Sequence, residues 1–324
     1  MGGGNMSSIE LNLMEVEIGY ASVSTRRTMN YYFSERDYIP SPTMRGAFLY
    51  PLIKRGRKLE ELEKYFFTPG YPLTGSGGNS PGLPVHPLAP AKDRKSGEYI
   101  EVKGVLSRWA LEDFERLISE YSKLPTEEAM SPKPRVGNIV TLHESKSNLN
   151  RYNGISLDAF VQDSVAIGKR SNSSKAQMLF SYEVKKFDSV WLLTNLDEEV
   201  EEIHVGRGNT RGLGRGKVRR VRKVTLEIPG KDDVGYCLTP CVPTFLKKQY
   251  FVPQEIRGDT DIYMSWFTWG DPPRGGLRPS FKVLKEGTIV RMKEVGDLEQ
   301  LWPAGLNFVV KIKDLGELSE RVRP

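Results

Sequence analysis

Five glycines and three arginines share the eleven residues from Gly206 to Gly216, which read Gly-Arg-Gly-Asn-Thr-Arg-Gly-Leu-Gly-Arg-Gly. Lys217-Val218-Arg219-Arg220-Val221-Arg222-Lys223 follows with five more cations, and no acidic residue interrupts between Ile203 and Leu226. Glycine lacks Cβ, so such a loop reaches positive φ and exposes its N–H groups to a ligand. Arginine between the glycines adds charge and a planar fork that suits phosphates and bases. The chemistry is that of polyanion binding, with Gly206, Arg207, Gly208, Arg211, Gly212, Gly214, Arg215 and Lys217 as candidate contacts.

The loop does not fit the nucleotide-binding alternatives. No Gly-Lys-Ser or Gly-Lys-Thr ends it, and its spacing misses G-x-G-x-x-G, so neither a Walker loop nor a dinucleotide fingerprint is present. A purely structural glycine turn is the plain alternative.

Other groups offer less. The three histidines are His86, His143 and His204. His204 precedes the loop and is read as capping a short acidic helix. As a general base for RNA cleavage it is a weak candidate, and Tyr31, beside Tyr32, is another. Lys54 would join the two tyrosines in a histidine-free site, though no spacing selects it. Cys237 and Cys241 form C-x3-C without a second pair or nearby histidine, which leaves a zinc site incomplete and suggests two small buried side chains. No cofactor is indicated.

The chain of 324 residues carries a net charge of +6, with 38% hydrophobic and 27% charged residues. That is the composition of a globular protein of one elaborated domain or two ordinary ones. Two cysteines cannot build a disulfide framework and suit a reducing cytoplasm. No apolar run reaches membrane-spanning length, and the glycine-rich start lacks the apolar core of a signal peptide. A cytoplasmic protein is expected, with residues 1–8 as a disordered leader.

Hydrophobic spacing supplies the elements. Ile9 to Tyr20 alternates as a strand, with a change of phase that predicts a bulge or strong twist near Leu13. Ile39-Pro40-Ser41-Pro42-Thr43-Met44-Arg45-Gly46 leads into a helix predicted to begin at Thr43, capped by Ser41 or Thr43, with Arg45 beside its N-terminus. Pro69 to Gly97 reads as irregular, and Ser107 to Leu124 as one amphipathic helix. Strands follow at Ala159–Ile167, Ala176–Val184 and Ser189–Thr194. A mobile hairpin tip carrying Lys169, Arg170 and Lys175 lies between the first two. Asp197 to His204 reads as a short helix, and Val224, Leu226 and Ile228 as a closing strand.

The order strand, helix, two strands, helix, loop, strand is a ferredoxin-like βαββαβ plan. The predicted fold class is therefore α+β. An RRM-like domain spans 9–228, with a large insertion at about 56–155. A second small α+β unit spans 229–324.

Three segments resemble the RAMP superfamily, the repeat-associated proteins that build CRISPR effector complexes around a guide RNA. They are Ile39–Gly46, then Ala166–Arg170 with Leu179-Phe180-Ser181-Tyr182-Glu183, then Gly208–Gly216. They match the family's I-P-G-S-S-L-[RK]-G, A-I-x-R…L-F-x-Y-E and G-x-x-R-x-x-G-x-G elements in order. Cys237-Leu238-Thr239-Pro240-Cys241 and Phe281–Val290 are similar to later elements of the subunits that cap the guide's 5′ end in type III complexes. Pro42 departs from the family, where many members have serine.

The resemblance implies two ferredoxin-like domains and a role in holding the 5′ handle of the guide. It also implies other complex subunits as partners, and a basic hairpin thumb bearing Lys169, Arg170 and Lys175 that reaches into the guide–target duplex. Backbone subunits of such complexes cut RNA with an aspartate upstream of the I-P-G-S-S element, whereas this chain has no acid between Glu17 and Glu35. A non-catalytic RNA-binding subunit is the first expectation. A metal-independent endoribonuclease that processes repeat transcripts, and a backbone subunit that multimerises along the guide, are the alternatives.

Overall fold

The computed structural model describes residues 8–28, 30–75, 79–91, 97–123, 136–146, 148–167, 174–263, 266–269, 274–277 and 280–324. The chain begins with strands β1 (Ser8–Ala21), β2 (Arg26–Thr28) and β3 (Tyr31–Phe33), then helices α1 (Ser41–Lys54) and α2 (Leu59–Leu62). Strands β4 (Tyr71–Thr74), β5 (Ser80–Pro84) and β6 (Glu98–Val102) precede helices α3 (Val105–Trp109) and α4 (Phe114–Ser122). Next come β7 (Ile139–Lys146), β8 (Leu149–Gly154), β9 (Ala159–Ile167), β10 (Ser174–Thr194), β11 (Glu202–His204) and β12 (Arg215–Glu227).

These strands form one sheet in the order β11-β12-β1-β10-β4-β5-β7-β8-β6, with β9 and β3 also pairing with β10 and β2 with β3. Pairs β12-β1, β1-β10 and β10-β4 are antiparallel, and α1 lies in the connection from β1 to β4. Both faces of β1 are buried. Leu11 and Leu13 join one core, while Met14, Val16 and Ile18 join the other with Met44, Phe48 and Leu52 of α1. The apparent phase change is thus two buried faces of one strand, covered over different lengths. The expected irregularity is also present, as a register shift against β12 between Leu13 and Met14.

The remaining chain is rich in strands. It contains β13 (Val234–Cys237), β14 (Thr244–Phe245), β15 (Lys248–Gln249), β16 (Phe251–Arg257) and β17 (Thr260–Tyr263). After these come β18 (Trp266–Trp269), β19 (Arg274–Leu277), β20 (Phe281–Leu284), β21 (Ile289–Val295), β22 (Val309–Val310) and α5 (Leu315–Arg321). A second sheet runs β16-β21-β13-β22. Among the described residues α5 is the one α-helix after residue 229, so helices do not occupy the positions that a βαββαβ order requires there. The class is α+β, dominated by strands.

Several local expectations are corrected. Asp197 to His204 is not a helix: Ile203 and Val205 are buried while Glu202 and His204 are exposed, a period of two that pairs β11 with β12. His204 therefore caps no helix. Ser107 to Leu124 breaks into α3 and α4, because Leu111 leaves the apolar face (89% exposed) and Asp113 is extended. Pro69 to Gly97 contains β4 and β5, whose Tyr71, Leu73 and Leu83 pack in one core with Trp191. Tertiary pairing overrides their turn-like composition. Helix α1 starts at Ser41 rather than Thr43, since proline is tolerated in a first turn whose N–H needs no partner. The Ser41 hydroxyl donates to the Phe67 carbonyl instead of capping. The two strands predicted over Ala176–Val184 and Ser189–Thr194 are one, β10, bent where Asp188 (φ 54°) faces Gly19 (φ 69°). Cys237 and Cys241, expected as separate side chains, are fully buried and joined in a disulfide.

One core joins the inserted strands to the C-terminal part: Tyr99, Trp109 and Tyr152 share it with Trp191, Leu226, Tyr236, Phe308 and Leu318. A buried carboxylate ties them further. Glu101 on β6 accepts from His86 Nε2 (2.6 Å), Asn150 Nδ2 (3.2 Å), the Tyr152 hydroxyl and the Leu315 N–H (2.9 Å) at the start of α5. His86 Nδ1 accepts from the Leu88 N–H, so its proton sits on Nε2, toward Glu101. Multiple donors are what a fully buried carboxylate requires.

Candidate nucleic-acid interface

The glycine loop joins β11 to β12, and its shape depends on glycine. Gly206, Gly208, Gly212 and Gly214 have φ between 71° and 83°. A Cβ on Gly214 would lie 1.9 Å from the Val205 carbonyl oxygen, and one on Gly206 would lie 2.2 Å from that of Ser22. Those close approaches are hydrogen-bonded seams. The Val205 N–H donates to Gly214 O (2.7 Å), Gly214 N–H to Tyr20 O (2.8 Å) and Arg207 N–H to Ser22 O (2.9 Å). The loop is thereby stitched to the end of β1, with Asn209–Arg211 as an exposed 3-10 turn at its tip. The N–H groups of Gly206 and Gly208 meet no acceptor among the described residues.

The cations divide into two groups. Most of the basic run is neutralised or structural. Arg215 forms a two-oxygen bond to Glu202 (2.8 and 3.0 Å), which holds the Glu202 carboxyl below the usual carboxylate range. Arg219 pairs with Glu15, and Lys223 with Glu10. Arg220 donates to Leu196 O and Arg222 to Arg321 O, while exposed Lys217 lies in register with Glu17 on one side and Glu202 on the other. Between Val218, whose N–H meets Glu201 O, and Glu227, which bridges to Lys311, no strand pairs with the outer side of β12 among the described residues, and its Lys and Arg discourage such pairing. The sequence concealed this because the pairing acids lie on β1 and β11.

Arg207 and Arg211 differ. Neither forms a salt bridge among the described residues, and each lies over a tyrosine. The Arg207 guanidinium is 4.1 Å from the centroid of Tyr32, and that of Arg211 is 5.7 Å from Tyr182. Arg211 Nη1 also donates to Ser164 Oγ (2.7 Å) and to the Tyr182 hydroxyl (2.5 Å). Tyr32 on β3 and Tyr182 on β10 are direct neighbours in parallel register. Phe180 stacks on Tyr182, with ring centroids 6.3 Å apart. Side chains alternate along strands, so Phe180, Tyr182, Gln162, Ser164 and Phe160 share the face of the β9–β10 arm that carries both arginines. Exposed guanidinium groups beside aromatic rings, with no carboxylate to satisfy among the described residues, have donors left for phosphate oxygens: on Arg211 these are Nε and Nη2.

The other sequence candidates do not converge here. Arg45 donates to the carbonyls of Tyr65 (2.9 Å), Leu62 and Glu63, satisfying the end of α2. It is a structural arginine. Tyr31 stacks on Phe33 (5.3 Å) on the opposite face of the arm from Tyr32. His204 is exposed on β11 opposite Arg215, and no hydrogen bond or ring contact joins it to Tyr31 among the described residues. Lys54 lies over Tyr50 at the end of α1. His86 is the buried partner of Glu101, and His143 is exposed on β7. Lys169 and Arg170 lie outside the described residues, while the backbone of Lys175 extends β10. Tyr20, Phe160, Tyr182 and Ser164 were not selected from sequence as site residues, and Tyr32 was named only beside Tyr31 and Lys54 in a histidine-free catalytic site. The alternation of Phe180, Tyr182 and Val184 with the matching run on β9 was the available signal.

No protein-family model matches the sequence, and no curated protein sequence matches it. Its fold does match solved structures. One is a chain of a type III-B Cmr-beta complex bound to cognate target RNA and AMPPnP, with a TM-score of 0.51 and 13% identity over 87% of this chain and 86% of that one. Another is a chain of a type III-B Cmr-beta complex bound to cognate target RNA, with a TM-score of 0.48 and 12% identity over 86% of each chain. At 13% identity the first likeness establishes a shared fold. Among the described residues no helix is long and apolar enough to cross a membrane.

Proposed function

We propose that this chain is a non-catalytic RNA-binding subunit of a type III CRISPR effector complex, holding the 5′ handle of the guide RNA. The observation that carries the reading is the pair Arg207 and Arg211: set against Tyr32 and Tyr182, without carboxylate partners among the described residues, and presented by a loop whose seams need glycine at 206 and 214. Positive charge interleaved with aromatic rings is the pattern of single-stranded RNA recognition. Support also comes from the fold shared with a chain of an RNA-bound type III-B complex and from the RAMP-like order of the three sequence elements.

In this reading β12-β1-β10-β4 with α1 is a ferredoxin-like sheet over 9–228. It has lost its second helix, and β5 to β8 are the insertion. Residues 229–324 are a second unit that shares its core. The resemblance assigns Lys169, Arg170 and Lys175 to contacts with the guide–target duplex, and partner subunits of the complex flank the chain.

The test is the Arg207→Ala/Arg211→Ala variant with single-stranded repeat RNA. Two lost phosphate contacts lower the log–log salt slope by about 1.4. Unchanged affinity and slope would sink the reading. The same RNA in EDTA separates it from the endoribonuclease alternative: the protein binds without cutting, whereas specific cleavage favours the enzyme.

A further inference from the structure

Beyond the arginines lies a pair of rings with no structural duty. Tyr20 at the end of β1 and Phe160 at the start of β9 meet edge to face, 5.9 Å between centroids and 65° between planes. They are 47% and 49% exposed, and neither belongs to a hydrophobic core. Half-exposed aromatic pairs outside a core leave a face and an edge uncovered.

Their position is fixed by the loop. The Tyr20 carbonyl accepts the Gly214 N–H at 2.8 Å, so the chain that carries the ring is also the seam that shapes the glycine loop. Phe160 lies four residues along β9 from Ser164, on the same face, and Ser164 accepts from Arg211. The cross-strand neighbour of Tyr20 is Lys186, which is 40% exposed and pairs with Asp188 at 3.5 Å, so the link to the cations runs through Phe160, Ser164 and Arg211. The aromatic surface is thus continuous with the cationic surface, and a strand whose phosphates rest on Arg207 and Arg211 would bring its next bases over these rings.

We infer that Tyr20 and Phe160 form a stacking platform for an unpaired nucleobase. The inference rests on the RNA-binding reading above and adds its selectivity: the arginines hold phosphates, and the rings require a base that is free to unstack. Duplex RNA keeps its bases inside and cannot use the platform. Stacking on an aromatic face accepts any base, so the platform selects single strands rather than a sequence.

The experiment compares wild type with Tyr20→Leu, Phe160→Leu and the double variant. Leucine keeps apolar bulk at half-exposed positions and removes the π face. The probes are a short oligouridine carrying one 2-aminopurine, an abasic strand of equal length, and a duplex. Wild type binds the base-bearing strand more tightly than the abasic one and quenches the 2-aminopurine. Each single variant loses roughly 5- to 150-fold in affinity for the base-bearing strand. Affinity for the abasic strand and the salt slope stay unchanged. Equal affinity of wild type for base-bearing and abasic strands, or variants that bind both as wild type does, would overturn the platform. If the Arg207→Ala/Arg211→Ala variant weakens binding while the leucine variants do not, the platform alone fails. If the arginine variant is also silent, the RNA reading fails first.

Discussion

Arg211 donates to the Tyr182 hydroxyl at 2.5 Å, and through that bond the tip of the glycine loop is fixed to the β9–β10 arm. Two segments far apart in sequence thereby present one surface, and the guanidinium is oriented before any ligand arrives. Preorganisation of this kind raises affinity by removing an ordering cost.

The first prediction follows directly. Tyr182→Phe removes the hydroxyl and leaves the ring, so at this part-buried site it loses one charged hydrogen bond, about 1.5–3 kcal/mol at most. A double-mutant cycle with Arg211→Ala, read as RNA affinity, gives a non-zero coupling between the two positions. Additivity would mean that the bond does not position Arg211.

Arg215 is expected to behave unlike Arg207 and Arg211, although all three share the loop. Its guanidinium is engaged by both oxygens of Glu202. Arg215→Ala lowers RNA affinity less than Arg207→Ala or Arg211→Ala does, because its guanidinium must first release both Glu202 oxygens to meet a phosphate. Titration at two salt concentrations checks this.

The glycines separate into replaceable and irreplaceable ones. At Gly212 a Cβ has open space, so Gly212→Ala meets only the strain of its positive φ, about 1–2 kcal/mol. At Gly214 the Cβ would collide with the Val205 carbonyl. Gly214→Ala must break the seam to Val205, and it abolishes RNA binding where Gly212→Ala retains it. Equal binding by the two variants would contradict the loop geometry.

Glu101→Ala leaves His86, Asn150, Tyr152 and the Leu315 N–H without their shared acceptor. Breaking such a buried charged network costs about 3–5 kcal/mol. The denaturation midpoint falls accordingly, with RNA contacts untouched in the fraction that remains folded.

How much of this was legible in the sequence depends on the range of the interactions. The glycine loop, β9, β20 and the alternation in β1 and β12 follow from local spacing, which the fold preserves. Asp197–His204 misled because acidic composition suits a helix, while the decisive fact was the burial of Ile203 and Val205 beside β12. The contacts of Arg45 were hidden for a similar reason: they are the carbonyls of Leu62, Glu63 and Tyr65, and a carbonyl acceptor leaves no mark in side-chain composition. The site was half visible. Arg207 and Arg211 were named, but their separation from Arg215, Arg219 and Lys223 depended on acids of other strands.

The Glu101–Leu315 bond spans 214 positions of the chain. During synthesis the inserted strands emerge early, yet their central carboxylate waits for α5 before its last donor is supplied. Closing so long a loop is slow, and contacts of high sequence separation form late. The nascent protein therefore passes through a long interval with an incompletely satisfied interior. Assembly with any partner that requires the finished core must wait until α5 has emerged and docked.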